Sequence, residues 1–453
     1  DPDLQDARAR WPFVPMWDNH EFTWQGWQSL AKLDGPSRPA QTLKVAANQA
    51  WFEYQPARVR QPGGASLERF EPPRVVDAPI ERFDEHGLGD EPNNLAAIGS
   101  LTAYRAFRYG KNVDLLITDQ HSYRSEEPTG HPGAAAFSSP DFPNLFPQEA
   151  MEILDAGRAW DGGKPPAAIR FGAEEVPNFR RDQPPQTLLG AVQKQWFLDR
   201  LRTSTATWKV WGNSAGTLDW RADPQNLPAG LAGLTRPWPG AGYAGFGGGD
   251  YGGAYVERAE IYDAVREAGI AGFATVSGDR HSFWAGLAAK ALPPAAFEPV
   301  GVAFITGSIS APGLVESLEH RFPQDHPLRP LFMADIDGRK EPAVNLLMHH
   351  GVRSCLEYQR TGDPVQARRL SNPDLAPHLS FLDMGGHGYA TVRVTGEAIE
   401  SEFVCIPRPL ERSESPDGGP LLYRVVHRAQ LWKPGERPRL EQRVVEGDPA
   451  LSL

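Results

Sequence analysis

The sequence predicts an α/β fold, because short apolar stretches rich in β-branched and aromatic residues alternate with segments of helical periodicity. Several of these stretches end in a cluster of polar residues. The carboxyl ends of the strands are where α/β proteins bind their ligands. The stretches with their clusters occupy residues 11–22, 113–125, 206–216, 272–282 and 301–313. We therefore expect a functional site along one edge of a sheet.

Two segments between the predicted strands have helical periodicity. Residues 188–204 predict a helix that places Val192, Trp196 and Leu201 on about one apolar face. Residues 257–269 predict a second helix, which ends at Gly269 because glycine readily adopts the left-handed conformation of a helix C-terminus.

Long stretches rich in proline and glycine separate these units, at residues 55–95, 221–253 and 311–343. Loops of this length inside a compact domain usually form the walls or lids of active sites, so we interpret them as such. Residues 389–433 alternate apolar and polar side chains, which predicts a β-rich segment that closes the sheet. The chain has no internal repeat, and we expect a single domain over residues 1–453.

Composition excludes several classes of protein. A formal net charge of −11 opposes binding to nucleic acid or to anionic lipid, and no stretch of about 20 apolar residues is present to span a membrane. Cys355 and Cys405 are the only cysteines, which excludes a zinc site built from cysteines. One disulfide and two buried thiols are equally open interpretations.

The first polar cluster, WDNHEF at residues 17–22, has the residue types of a metal-assisted hydrolase. Asn19 offers a carbonyl oxygen suited to a hard or borderline cation. His20 adds an ionisable imidazole, which Glu21 would orient.

The cluster at residues 279–281 complements it, because Asp279 and His281 offer an oxygen and a nitrogen two positions apart at a strand end. Either cluster alone fits a turn or a helix cap equally well. Together, at two strand ends of one sheet, they favour a metal site. Arg280 has two interpretations: it binds a phosphate oxygen of the substrate, or it forms a structural pair with a carboxylate.

Two further residues are candidates. His387 lies between glycines that allow close backbone approach, so it either lines the site or packs on Tyr389. Ser214 in GNSAG (212–216) fits the pattern of a serine esterase nucleophile and is the alternative to metal-dependent chemistry. The residues after it form a poor helix, although that motif needs one.

Taken in order, eight segments resemble the alkaline phosphatase D (PhoD-like) family of calcineurin-like metallophosphoesterases, from residue 1 to about 395. The segments are DPDLQ, PFVPMWDNHEF, VDLLITDQHSYRS, LLGAVQKQWFLDRL, ATWKVWGN, GGAYVERAEI, VSGDRHSFWAGL and NPDLAPHLSFLDMGGHGYATVRVT. The resemblance implies a sandwich of two mixed β-sheets flanked by α-helices. It also implies a periplasmic or secreted enzyme that hydrolyses small-molecule phosphate mono- or diesters.

The resemblance implies two metal ions, often iron with calcium; manganese, zinc and magnesium are alternatives. By position, Asn19 resembles a metal ligand of the family and His20 the histidine that faces the scissile phosphate. Asp279 and His281 resemble the last pair of metal ligands. Asn213 lies where relatives of the wider superfamily have a further ligand.

The sequence also departs from the family pattern. An upstream Ser-Cys motif and a Gly-Asp-x-x-Tyr motif, which carry further metal ligands, do not occur here. The chain starts at Asp1 without methionine or a signal peptide. We therefore expect the larger, C-terminal part of such an enzyme, whose first strands are removed, unsequenced or carried on another chain as an N-terminal fragment that completes the site. A non-catalytic fragment or binding module that lacks half of the metal site is the alternative. Gln120 and His121 replace the more common Thr-Arg, which predicts an altered substrate preference.

Overall fold

The computed structural model describes residues 2–32, 36–55, 57–64, 68–142, 144–229, 234, 236–247, 249–321 and 325–453. It forms two compact units. The first unit comprises Asp1–Phe107, Leu116–Glu126 and Thr187–Phe197, and the second comprises Arg108–Leu115, Glu127–Gln186 and Leu198–Leu453. The single domain over residues 1–453 stays a prediction. No helix among the described residues combines the length and apolar character that crossing a membrane requires.

Helices and strands are numbered in chain order. The helices are α1 Pro2–Arg10, α2 Gln41–Tyr54, α3 Pro92–Gly99, α4 Gln148–Ala156, α5 Trp160–Gly163, α6 Gly190–Thr203, α7 Tyr255–Glu267, α8 Leu314–Arg321, α9 Arg329–Phe332, α10 Val344–His350, α11 Val352–Thr361 and α12 Pro364–Arg368. The strands are β1 Leu30–Ala31, β2 Arg38–Pro39, β3 Arg105–Tyr109, β4 Val113–Ile117, β5 Leu145–Pro147, β6 Ala168–Phe171, β7 Glu174–Pro177, β8 Trp208–Gly212, β9 Arg221–Ala222, β10 Ala244–Phe246, β11 Phe273–Ser277, β12 Phe283–Ala288, β13 Gly301–Ile305, β14 Ala334–Ile336, β15 Arg339–Glu341, β16 Leu379–Asp383, β17 His387–Val394, β18 Ala398–Ile406, β19 Tyr423–Gln430 and β20 Glu441–Gly447.

A mixed sheet organises the second unit. Its strands β16, β12, β13, β11 and β8 are neighbours in that order. Strands β8, β11 and β13 are parallel, whereas β12 and β16 pair antiparallel. The carboxyl ends of the three parallel strands therefore meet at one edge of the sheet.

Both faces of this sheet are buried. Successive side chains of a strand point to opposite sides, so two neighbouring residues of β12 show what covers each face. On β12, Phe283 packs in one apolar cluster with Phe403 of a second sheet. The next residue, Trp284, packs in another cluster with Leu347 of α10 and Val352 of α11. The predicted α/β class, with a large mixed sheet flanked by helices, is confirmed.

The second sheet of this unit is β17-β18-β19-β20, and all its described pairings are antiparallel. The predicted segment 389–433 is indeed rich in strands, but it forms this separate sheet and continues to Gly447. Segment 311–343 also differs from prediction, since α8, α9 and the β14–β15 hairpin interrupt the expected loop. These helices and strands are too short for their apolar residues to repeat with a recognisable helical or strand periodicity.

The two predicted helices are present as α6 and α7. Gly269 follows α7 with φ of +61°, as predicted for a glycine at this end. Val192 on α6 is 75% exposed, so its assignment to the apolar face was wrong.

Cys355 and Cys405 are free, buried thiols, and burial raises the pKa of each to about 12.

The first unit is built around α2 and α3. Trp17, Val45, Trp51, Phe70 and Leu101 form its apolar core. Trp17 packs edge-on against Trp51, with 5.0 Å between the ring centroids. The core therefore fixes α2 beside the segment that carries the first polar cluster of the sequence.

Candidate active site

The candidate site in the second unit lies where β8 and β11 end. Because these strands pair in parallel, with Gly212 opposite Val276, the residues that follow them lie side by side. Asn213 follows β8, and its N–H donates to the carbonyl of Val276 at 3.1 Å. Asp279 and His281 follow β11 in the next turn. Asn213 therefore lies beside the end of β11, and the roles of Asn213, Asp279 and His281 as metal ligands stay predictions.

The amide side chain of Asn213 is buried, and neither its oxygen nor its nitrogen has a hydrogen-bond partner. The hydroxyl of Ser277, the last residue of β11, is likewise buried and unpartnered. A buried polar group without a partner costs about 1–3 kcal/mol, and such groups often mark the position of an ion or ligand. The edge of the sheet therefore offers unused polar atoms.

The turn after β11 has an unusual backbone. Asp279 and His281 have φ of +64° and +49°, in the left-handed region that few residues other than glycine adopt. Each such residue costs of order 1–3 kcal/mol, and strained residues cluster at functional sites. This backbone conformation was not visible in the sequence, because neither residue is a glycine.

The imidazole of His281 is held in one tautomer. Its Nδ1 lies 2.7 Å from the carbonyl oxygen of Pro312, which can only accept a hydrogen bond. Nδ1 is therefore the donor to this carbonyl, which leaves Nε2 as the ring nitrogen that can bind a ligand. This arrangement, with one ring nitrogen donating to a carbonyl, is typical of histidines that bind metal through the other nitrogen.

Arg280 turns into the interior of the unit. Its Nε donates to Oδ2 of Asp250 at 2.7 Å, and its Nη2 donates to the carbonyl of Leu218 at 2.5 Å. The guanidinium also packs on the rings of Trp220 and Trp284, at 5.0 and 4.7 Å from their centroids. This geometry does not suit the predicted catalytic or substrate-binding role, because the guanidinium is enclosed; it matches the alternative of a structural pair.

His387 begins β17 and is buried, with Nε2 3.4 Å from Oε2 of Glu316. The same carboxylate oxygen accepts from the N–H of Gly313 at 2.7 Å. The hydroxyl of Tyr389 donates to Asp417 at 3.0 Å. The role of His387 in substrate binding and the alternative of an imidazole packed on Tyr389 both stay predictions.

Asn19, His20 and Glu21 lie in a bend of the first unit. His20 is exposed and its ring stacks on that of Trp24, with centroids 6.3 Å apart. Oε2 of Glu21 accepts from the N–H of Asp18 at 2.6 Å, so this carboxylate stabilises the bend. That hydrogen bond differs from the predicted one to the imidazole of His20, and the catalytic roles stay predictions.

Sequence reasoning missed a buried charged group in the first unit. Lys44 on α2 is buried, and its Nζ donates to the hydroxyl of Ser122 at 3.1 Å. Burial lowers the pKa of Lys44, an effect that Asp119 opposes. Lys44 shares a helix face with Ala47 and Trp51, which follow it by three and seven positions. A lysine on an apolar helix face is the sequence pattern that could have predicted this buried charge.

The donors at the strand ends fit part of a metal site. Among the described residues, no group of three or more histidine, cysteine, aspartate or glutamate side chains is arranged to hold a metal ion. Asp279 and His281 supply two such donors in one turn, and the unpartnered Asn213 amide supplies a further oxygen. Carboxylate, amide and imidazole donors suit hard or borderline cations.

The Ser214 alternative lacks its structural context. Ser214 follows β8 as the esterase motif requires, but residues 213–220 contain no helix. A nucleophile elbow places its serine between a strand and a helix whose N-terminus helps to bind the oxyanion. The local fold therefore does not favour a serine esterase.

An α/β sandwich with polar donors at the carboxyl ends of neighbouring parallel strands is typical of enzymes that bind their ligand at that edge. The family model of PhoD-like phosphatases matches residues 1–403, and the chain belongs to this family.

Known proteins that are similar to the chain include a phosphatase and a protein of solved structure. Alkaline phosphatase D of Bacillus subtilis (strain 168) is 21% identical over 315 residues, which cover 69% of this chain and 38% of that protein. A solved structure of PhoD aligns with a TM-score of 0.56 and 16% identity, over 99% of this chain and 57% of the other. The chain thus spans less than two thirds of either relative, and the structural match bears on the fold.

Proposed function

We propose that this chain hydrolyses phosphate esters in a metal-dependent reaction. Membership of the PhoD-like phosphatase family supports phosphate ester hydrolysis. The observation that carries the metal dependence is the buried, unpartnered amide of Asn213 beside the end of β11, where Asp279 and His281 follow. The similarity to alkaline phosphatase D supports the same class of substrate.

In this proposal Asn213, Asp279 and His281 hold a metal ion in the second unit, and Asn19 is a ligand by family resemblance. Iron with calcium is the proposed pair. Bound metal ions neutralise charge on the phosphoryl group and make hydroxide available near neutral pH. The hydrogen bond from His281 Nδ1 to Pro312 keeps the imidazole in the tautomer and orientation that leave Nε2 as the ligand atom.

The reaction breaks the bond between phosphorus and the leaving oxygen, and an oxygen from water forms the new bond to phosphorus. His20 donates a proton or a hydrogen bond to the phosphoryl or leaving oxygen, and its exposure in the bend leaves the imidazole accessible. Glu21 acts indirectly, because its carboxylate stabilises the bend that presents His20. His387, buried beside Glu316, contributes a wall of the binding site.

We also propose a periplasmic or secreted location, which cell fractionation would test.

The experiment is turnover of p-nitrophenyl phosphate and bis(p-nitrophenyl) phosphate by the purified chain before and after chelation. We expect chelation to abolish turnover and one of iron, calcium, manganese, zinc or magnesium to restore it. The two substrates separate monoesterase from diesterase activity.

A serine mechanism gives the opposite pattern. Turnover that resists chelation, is lost in Ser214→Ala, and is blocked by an organophosphate label would overturn the proposal. Ser415→Ala is the control, because Ser415 is exposed in a bend between β18 and β19.

A further inference from the structure

A cavity of about 260 Å³ lies in the first unit, next to the bend that carries Asn19 and His20. Asp18 and Glu21 of that bend form part of its wall. The remaining wall is mainly apolar and aromatic, from Trp17, Phe22 and one face of α2. Of the residues to which the proposed function gives a role, Glu21 is the one that lines this cavity.

The cavity exists because α2 presents small residues between large ones. Lys44, Ala47, Trp51 and Tyr54 lie at spacings of three, four and three, so they form one stripe along the helix. Ala47 and the neighbouring Ala50 leave the space, and the rings of Trp51 and Tyr54 border it. An engineered apolar cavity of about 150 Å³ is large enough to bind benzene. The space in this unit is therefore sufficient for a substituted aromatic ring.

The charges around the cavity restrict its occupant. The ammonium group of Lys44 lies 4.9 Å from the ring centroid of Trp17 and 5.3 Å from that of Phe22. These rings thus already have a cationic partner, and a second cation would be repelled by Lys44. The carboxylates of Asp18 and Glu21 disfavour an anion, although Asp18 lies 3.3 Å from Nε2 of His121, which also lines the cavity. An uncharged ring avoids both penalties.

We propose that this cavity binds an uncharged aromatic group, namely the organic substituent of the phosphate ester. The assignment of that group to an ester rests on the proposed function, because the link between cavity and chemistry is the bend that carries His20. Hydrolysis then releases the ring as a phenol, which takes up one proton as water supplies the oxygen bound to phosphorus. The cavity makes aryl esters better substrates than small alkyl esters.

The test measures binding without turnover, by calorimetry of naphthol on the purified chain. We expect Ala47→Phe to weaken binding at least about tenfold, because the new ring fills the cavity. Ala46→Phe is the matched control: Ala46 is exposed on the same helix and does not line the cavity. Naphthoate and naphthylmethylammonium should bind less tightly than naphthol. If circular dichroism shows that Ala47→Phe is unfolded, Ala50→Phe takes its place.

Three results would each overturn the proposal. The chain does not bind naphthol, Ala46→Phe and Ala47→Phe weaken naphthol binding equally, or a charged analogue binds more tightly than naphthol. A second readout is the ratio of kcat/KM for naphthyl phosphate to that for ethyl phosphate, which should fall at least about tenfold in Ala47→Phe. If neither ester is hydrolysed and naphthol binding still depends on Ala47, the aromatic site stands and the proposed function fails.

Discussion

The guanidinium of Arg280 lies 2.7 Å from the carboxylate of Asp250, and the side chains are only 1% and 3% exposed. Arg280 is the middle residue of the turn whose neighbours, Asp279 and His281, have positive φ. The buried pair therefore anchors this turn to the interior of the second unit. An anchored turn fixes the backbone from which the two candidate metal ligands extend.

Breaking this ion pair should destabilise the protein strongly. Arg280→Met leaves the Asp250 carboxylate buried without its partner, and removal of one member of a buried pair typically costs about 3–5 kcal/mol. The free energy of unfolding in urea should fall by this amount, and Asp250→Asn added to Arg280→Met should recover part of it.

The control is Arg266→Met, which removes solvent-accessible pairs with Asp263 and Glu298 and should cost about 0–1 kcal/mol. Unchanged stability of Arg280→Met with a large loss of kcat would mean that Arg280 acts on the substrate.

Replacing His281 by glycine should give a more stable protein than replacing it by alanine. Both changes delete the imidazole, but only glycine adopts φ of +49° without a steric cost, which is about 1–2 kcal/mol for other residues. The two variants should lose chelator-sensitive turnover equally. Thermal unfolding of the pair measures the difference.

Ala46→Gly in the middle of α2 provides a control with the opposite sign. Glycine there should cost about 1 kcal/mol relative to alanine, because the helix needs no positive φ. Equal stability of His281→Gly and His281→Ala would show that the turn relaxes and stores no strain.

His427→Phe should make the protein less sensitive to acid. His427 is buried against Phe381 and Phe403, with ring centroids 5.3 and 4.7 Å away, and burial lowers the pKa of its imidazole to about 3. The unfolded chain has an ordinary histidine pKa of about 6.5, so it binds more protons than the folded chain between these values. Stability is therefore lost as the pH falls from about 6.5 towards 3.

Nδ1 and Nε2 of His427 are buried and have no hydrogen-bond partner in the wild type. Phenylalanine has no ring nitrogen and does not titrate. The stability gain of His427→Phe should thus grow on acidification, by up to about 1.4 kcal/mol per pH unit. Denaturant unfolding at pH 7 and pH 5 measures it. His349 and His378, whose pKa values burial lowers to about 3 and 4, retain part of the acid sensitivity. A gain that is the same at both pH values would contradict the prediction.

Local patterns predicted the ends of β8 and β11 well, whereas the stretch predicted as a strand before Asn19 forms no strand. The apolar stretches before Asn213 and before Asp279 are β8 and β11, and parallel pairing places their ends side by side. The direction of Arg280 was left open, because it depends on Asp250, thirty positions away in sequence. The exposed side of Val192 was also missed, since a pattern with several apolar residues does not decide which of them meets the core.

Side-chain partners account for the rest of what the sequence did not reveal. The sequence places Glu21 next to His20, but the nearby N–H of Asp18 competes for the same carboxylate. The positive φ of Asp279 and His281 follows from the path that the turn takes between strands β11 and β12. These features arise from tertiary structure, which one-dimensional spacing does not encode.

The most direct test of the central claim is the metal content of the purified chain, measured by mass spectrometry alongside turnover of p-nitrophenyl phosphate. We predict bound metal and turnover in the wild type. Both should fall together in Asn213→Ala, Asp279→Asn and His281→Ala, while the exposed-loop control His86→Ala keeps both. The contradicting result is protein without bound metal that still hydrolyses the ester. In that case chelator would leave the rate unchanged, and all three variants would retain the wild-type rate.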